Sequence, residues 1–148
     1  MFSVLEKKFG ASSLNIPTGS TGAYAELTTP ISVGSDNASD DYSIATWFKE
    51  LYPATTWRTL TRGSGSNHQV IVSSNSDELG THTGWVGSGY NLSPTASSTT
   101  WQHLVATFDG SVTRFYIDGS YVGFLNASKG NNIYAIGNHS GGQQLSLI

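Results

Sequence analysis

Trp57, Trp85 and Tyr90 stand among polar and glycine-rich neighbours, and Asn67, Asn91, Asn138 and Gln143 supply amide side chains in turn-like segments. Indole and phenol rings stack on the apolar C–H faces of sugars, and nearby amides fix a sugar's orientation by hydrogen bonds. These seven residues form the candidate ligand site. The plainer alternative is that Trp57 and Trp85 simply cover the outside of a sheet.

Other chemistries find less support. Glycoside hydrolysis needs two carboxyl groups about 5 Å or more apart across the scissile bond. Glu6, Glu26, Glu50 and Glu78 each lack a partner at a suitable spacing, so no enzyme is expected. Asp77-Glu78 reads as a solvated turn. Asp36, Asp40 and Asp41 gather oxygen ligands in one segment, which makes them the weak candidates for calcium. Calcium takes about six to eight oxygens, and this segment lacks the downstream bidentate Glu of an EF-hand. The alternative is a turn that starts the next strand. No other cofactor is expected. His68, His82, His103 and His139 form no i,i+4 pair and have no carboxylate at motif spacing, which argues against zinc. No Gly-x-Ser-x-Gly stands between a strand and a helix. There is no cysteine, hence no disulfide and no thiolate chemistry.

The elements that must position these groups read as short and extended. No helix-period stretch exceeds a turn or two. Strands are expected over Ser13–Ile16, Ala23–Thr28 (stopping at Pro30), Tyr42–Lys49, Thr56–Arg62, His68–Ser73, Trp101–Asp109, Val112–Ile117, Ser120–Phe124 and Ile133–Ile136. Tyr42–Lys49 has apolar groups on both parities, the pattern of a central strand covered on two sides. Thr56–Arg62 and His68–Ser73 flank a Gly/Ser turn and form a hairpin. Leu79–Tyr90 is interrupted by glycines and has no clear period. Asp109-Gly110 and Asp118-Gly119 match two-residue hairpin turns. About ten short strands imply an all-β antiparallel sandwich or jelly roll, a single domain over residues 1–148.

Composition agrees. The chain has 148 residues, 11% charged, with Ser and Thr making up about a quarter and a net charge of -3. Seven Lys and Arg without a basic cluster exclude a typical nucleic-acid footprint. No apolar run reaches the roughly 18–20 residues of a membrane span. The first ten residues lack the features of a secretory signal. Asn-x-Ser sequons at Asn37, Asn91, Asn126 and Asn138 arise readily in a Ser-rich chain.

Ser43-Ile-Ala-Thr-Trp-Phe-Lys49, Trp101-Gln-His-Leu-Val-Ala-Thr-Phe-Asp-Gly110 and Arg114-Phe-Tyr-Ile-Asp-Gly-Ser-Tyr-Val-Gly123 together resemble the laminin-G-like branch of the concanavalin A-like lectin/glucanase superfamily. There a Trp-x-His strand runs into an Asp-Gly turn and a Tyr-x-Asp-Gly hairpin follows. The resemblance implies a jelly roll and places Trp47 and Trp101 in its core. Laminarinases of the superfamily carry Glu-x-Asp-x-x-Glu on one strand, which is missing here. Pentraxin relatives place calcium-binding acids in loops that here read Asn138-His-Ser-Gly-Gly142 and Gly63-Ser-Gly-Ser-Asn67, without a carboxylate. In similar domains an Ile-Asp-Glu strand closes one sheet, and Ser146-Leu-Ile148 only begins it. A final strand is therefore expected to be missing, or supplied by a partner at an open C-terminal sheet edge.

The implied function is a non-enzymatic surface recognition or adhesion module for glycan or protein, extracellular or on a virion surface. The alternative is a structural decoration, capsid-associated or tail protein of a bacteriophage particle, acting through homo-oligomer or particle assembly.

Overall fold

The computed structural model describes residues 2–3, 8, 13–16, 24–33, 41–49, 57–65, 67–82, 84–93, 99–126, 132–137 and 146–147. Among them there is no helix, and thirteen strands follow one another. They are β1 (Phe2–Ser3), β2 (Ser13–Ile16), β3 (Tyr24–Ile31), β4 (Tyr42–Phe48), β5 (Arg58–Arg62), β6 (His68–Val72), β7 (Glu78–His82), β8 (Val86–Asn91), β9 (Gln102–Phe108), β10 (Thr113–Ile117), β11 (Ser120–Leu125), β12 (Ile133–Gly137) and β13 (Ser146–Leu147).

Two antiparallel sheets carry the fold. One has the order β11-β10-β9-β4, the other β3-β12-β5-β6-β7-β8, and β1-β2-β13 forms a small third sheet. The alternation in β9 follows from its sequence. Leu104, Ala106 and Phe108 are buried on one face, while His103, Val105 and Thr107 lie on the other. Phe115 and Ile117 continue the buried face on β10, and Leu60, Val70, Val72 and Leu79 meet it from the six-stranded sheet. Burial of these aliphatic and aromatic groups, each contributing about 1.5–3 kcal/mol, holds the two sheets together.

Several expectations change. Pro30 does not stop β3, which runs on to Ile31. Pro lacks an N–H, but among the described residues β3 pairs on one side only, and Pro30 falls in the irregular stretch of that ladder between Glu26↔Ala135 and Ile31↔Ile133. Two-sided burial belongs to β5 and β6, whose residues are buried throughout. β4 instead terminates the four-stranded sheet as described, pairing with β9 from Tyr42↔Phe108 to Phe48↔Gln102. Trp47 is therefore not a core residue. It lies on the outward face beside its register partner His103, ring centroids 5.0 Å apart, with the Lys8 ammonium 4.4 Å from its ring centroid. Trp101 is half-buried just before β9.

The turns follow their residues. Asp118 and Gly119 have φ of 50° and 81°, the two positive values that a tight β10–β11 hairpin requires. Asp109-Gly110 makes a longer connection than the two residues expected. Asp109 Oδ1 accepts the N–H groups of Ser111 and Val112 at 3.2 and 2.9 Å, so β10 resumes only at Thr113. The Asp109 carboxylate also pairs with the Arg114 guanidinium. Ser146–Leu147 forms β13, antiparallel to β2 through Ser146↔Ile16 and Leu147↔Asn15.

At one side the two large sheets close on each other. A Cβ on Gly123 of β11 would lie 2.6 Å from the Ser88 carbonyl oxygen of β8. Only glycine allows this approach, so β8 and β11 meet along a seam.

Candidate functional site

The register across β5, β6, β7 and β8 separates two faces of the large sheet. Arg58, Val72 and Leu79 form one row of partners, and Val72 and Leu79 belong to the core. The adjacent row is Thr59, Ile71, Gly80 and Gly87, and it points away from the core. His82 lies two residues beyond Gly80 and pairs with His68, on that same outward face.

Four rings gather there. Trp57 meets Trp85 with centroids 5.2 Å apart and planes at 62°, and meets His82 at 5.3 Å and 71°. His82 meets His68 at 5.8 Å and 79°. All three contacts are edge-to-face, the arrangement that ring quadrupoles favour. Trp57, Trp85 and His82 are half-buried, whereas His68 and Ile71 are buried beneath them. His68 Nδ1 lies 3.0 Å from the Thr59 hydroxyl. Burial, then the positive charge of Arg62 and the neighbouring His82, lower the pKa of His68 to about 3, so its imidazole is neutral at physiological pH.

Two glycines give this face its floor. A Cβ on Gly80 would lie 2.6 Å from Trp85 Cη2, because the indole rests on the Gly80 backbone. Its register partner Gly87 is covered by the Glu78 side chain, whose Oε2 would be 2.7 Å from a Cβ there. Glu78 Oε1 accepts the Gly89 N–H at 2.7 Å, which anchors the carboxylate across the β7–β8 pair. An indole and a carboxylate thus occupy adjacent positions on a floor that any larger residue would fill.

The residues expected to bind ligand separate into groups. Trp57 and Trp85 come together as described. Tyr90 does not join them, because it packs against the core cluster from the opposite face of β8. Its parity is that of Val86, whereas Gly87 and Gly89 face outward. Asn67 closes the β5–β6 turn, where Gly63 N–H donates to its carbonyl at 2.8 Å. Asn91 is exposed at the end of β8, and its Oδ1 accepts the Ser93 N–H at 2.9 Å. Asn138 and Gln143 lie outside the described residues, as do Asp36 and Asp40. Asp41 is exposed just before β4, and among the described residues no three His, Cys, Asp or Glu side chains converge.

Glu78, His68 and His82 are the site residues that sequence reasoning missed. Glu78-Leu-Gly-Thr-His82 does alternate, with Leu79 inward and Glu78, Gly80 and His82 outward. Gly80 weakened that signal, since a strand glycine reads as an interruption until the ring above it is known.

Comparison with known proteins gives the fold a lineage. A laminin-G family model, described as the concanavalin A-like lectin/glucanases superfamily, matches residues 19–146. No curated protein and no solved structure matches the chain. The family match spans both large sheets and the floor between Trp85 and Glu78; on that match, and on its all-β antiparallel architecture, this chain belongs to the concanavalin A-like lectin/glucanases superfamily.

Proposed function

We propose that this chain is a non-enzymatic recognition module that binds glycan on the outward face of its six-stranded sheet. Proteins of this superfamily often bind carbohydrate or protein, and some are glycosidases; laminin-G-like domains are typically extracellular. Among the described residues no helix is long and apolar enough to cross a membrane. The observation that carries the reading is the meeting of Trp57 and Trp85. Two indoles from different strand ends share one outward face, and both residues are half-buried.

Their edge-to-face contact makes a corner, with Trp85 covering Gly80. A pyranose can stack one apolar face on an indole while its hydroxyls reach the surrounding polar groups. Along β7 no second carboxylate alternates with Glu78, so this strand lacks a hydrolytic carboxylate pair.

A panel of immobilised glycans tests the reading. The intact protein is expected to bind a subset saturably, with soluble sugar competing. Trp57→Ala is expected to lose at least about fivefold in affinity, the worth of one stacking contact of roughly 1–3 kcal/mol. Unchanged binding by folded Trp57→Ala and Trp85→Ala proteins overturns the site, and release of reducing ends overturns the non-enzymatic assignment.

A further inference from the structure

We infer that the Gly80–Gly87 floor selects uncharged saccharides, with the Glu78 carboxylate accepting hydrogen bonds from a sugar stacked on Trp85. This inference rests on the glycan reading above and names its ligand class. Gly80 and Gly87 are register partners on β7 and β8. Groups above such a pair stand about 5 Å apart. The Trp85 indole covers the first glycine and the Glu78 carboxylate the second. One pyranose spans that distance, so a ring stacked on the indole presents its hydroxyls to the carboxylate.

The carboxylate has capacity to spare. Two oxygens offer about four acceptor positions, and among the described residues Glu78 receives one hydrogen bond, from Gly89. That bond holds the group in place without exhausting it. Hydroxyl-to-carboxylate bonds are charge-assisted and roughly twice as strong as neutral ones. The same charge repels a uronate or sulfate brought within a few ångströms. The Arg62 guanidinium is engaged in the β5–β6 turn, where it donates to the Gly65 carbonyl. His82, two residues from Gly80 along β7, packs edge-to-face with Trp57.

Isothermal titration of the intact chain with a neutral β-glucan hexasaccharide and with a hexauronate of equal length tests the inference. The neutral sugar is expected to bind at least about tenfold more tightly, the discrimination one charge-assisted bond supplies. Glu78→Gln keeps an acceptor for the Gly89 N–H, so folding is retained while the preference collapses. Glu78→Asp keeps the charge but draws it back from Gly87, so the neutral sugar weakens while the uronate stays rejected. Equal affinity for both sugars in the unaltered chain, or an unchanged ratio in Glu78→Gln, overturns the inference while the glycan reading stands. Binding of neither sugar, nor of any glycan on the panel, overturns the glycan reading and this inference with it.

Discussion

His103 and Asp118 hold each other through a reciprocal pair of hydrogen bonds: the His103 N–H donates to Asp118 Oδ1 at 2.8 Å, and the Asp118 N–H donates to the His103 carbonyl at 2.8 Å. One bond uses a side chain and the other uses backbone alone. Together they fasten the start of β9 to the β10–β11 turn. They also join the two sequence segments, Trp101–Gly110 and Arg114–Gly123, through which the chain resembles its family.

Replacing Asp118 separates its two tasks. Asp118→Ala loses the side-chain acceptor and leaves a Cβ residue at φ 50° without the local hydrogen bonding that makes this conformation tolerable. Destabilisation of about 1–3 kcal/mol is expected. Asp118→Asn keeps an acceptor oxygen and tolerates the left-handed backbone, so its cost should stay below about 1 kcal/mol. Urea unfolding of the two variants checks this. Equal losses would mean that the side-chain bond contributes nothing.

Gly80→Ala tests the floor without replacing a ring. The added methyl would meet the Val86 carbonyl oxygen and Trp85 Cη2. The backbone on one side cannot yield, so the indole must lift. Overpacking of this kind costs about 1–3 kcal/mol. Glycan affinity is expected to fall together with stability, and tryptophan emission to shift to the red as Trp85 gains water. A variant that keeps its emission maximum and its melting temperature would contradict the close packing of Trp85 on β7.

The neutral His68 gives stability a specific pH dependence. An unfolded chain binds a proton at this imidazole as pH falls through about 6.5, whereas the folded chain resists protonation down to about 3. Between those values the unfolded state holds more protons. His68's contribution is therefore intact above about pH 6.5 and is lost as pH falls toward 3, by at most about 1.4 kcal/mol per pH unit. His68→Gln removes the titrating group. Urea midpoints of both proteins from pH 7.5 to 4.5 should show the unaltered chain falling more steeply. Parallel curves would count against a buried neutral histidine.

Much of the fold was legible because its signals are local. Strand β9 alternates strictly, and Asp118-Gly119 carries the chemistry of its turn, so that hairpin could be read from the chain alone. The pairing of Trp57 with Trp85 was only half legible. Both were singled out as unexplained aromatics, but their contact depends on the register of β5 through β8, and irregularities in that register shift which residues face outward. Tyr90 shows the same dependence in reverse, since only the parity of β8 assigns it to the core. The two-sided cover of β5 and β6 was assigned to Tyr42–Lys49, whose apolar groups on both parities are met inward by the core and outward by His103 at Trp47. Burial on both faces is a property of a sheet's neighbours as much as of a strand's own residues.

Strand order also sets a timetable for synthesis. β12 sits between β3 and β5, although about a hundred residues separate β3 from it along the chain. A ribosome delivers β5 through β8 as neighbours that can zip together while they emerge, and β9 through β11 likewise. β3 has no such option. Its sheet partner does not exist until residues 133–137 are made, and the facing edge of β5 stays bare for the same interval. The nascent chain therefore carries two waiting strand edges from the synthesis of β5 until that of β12, and that single strand satisfies both at once.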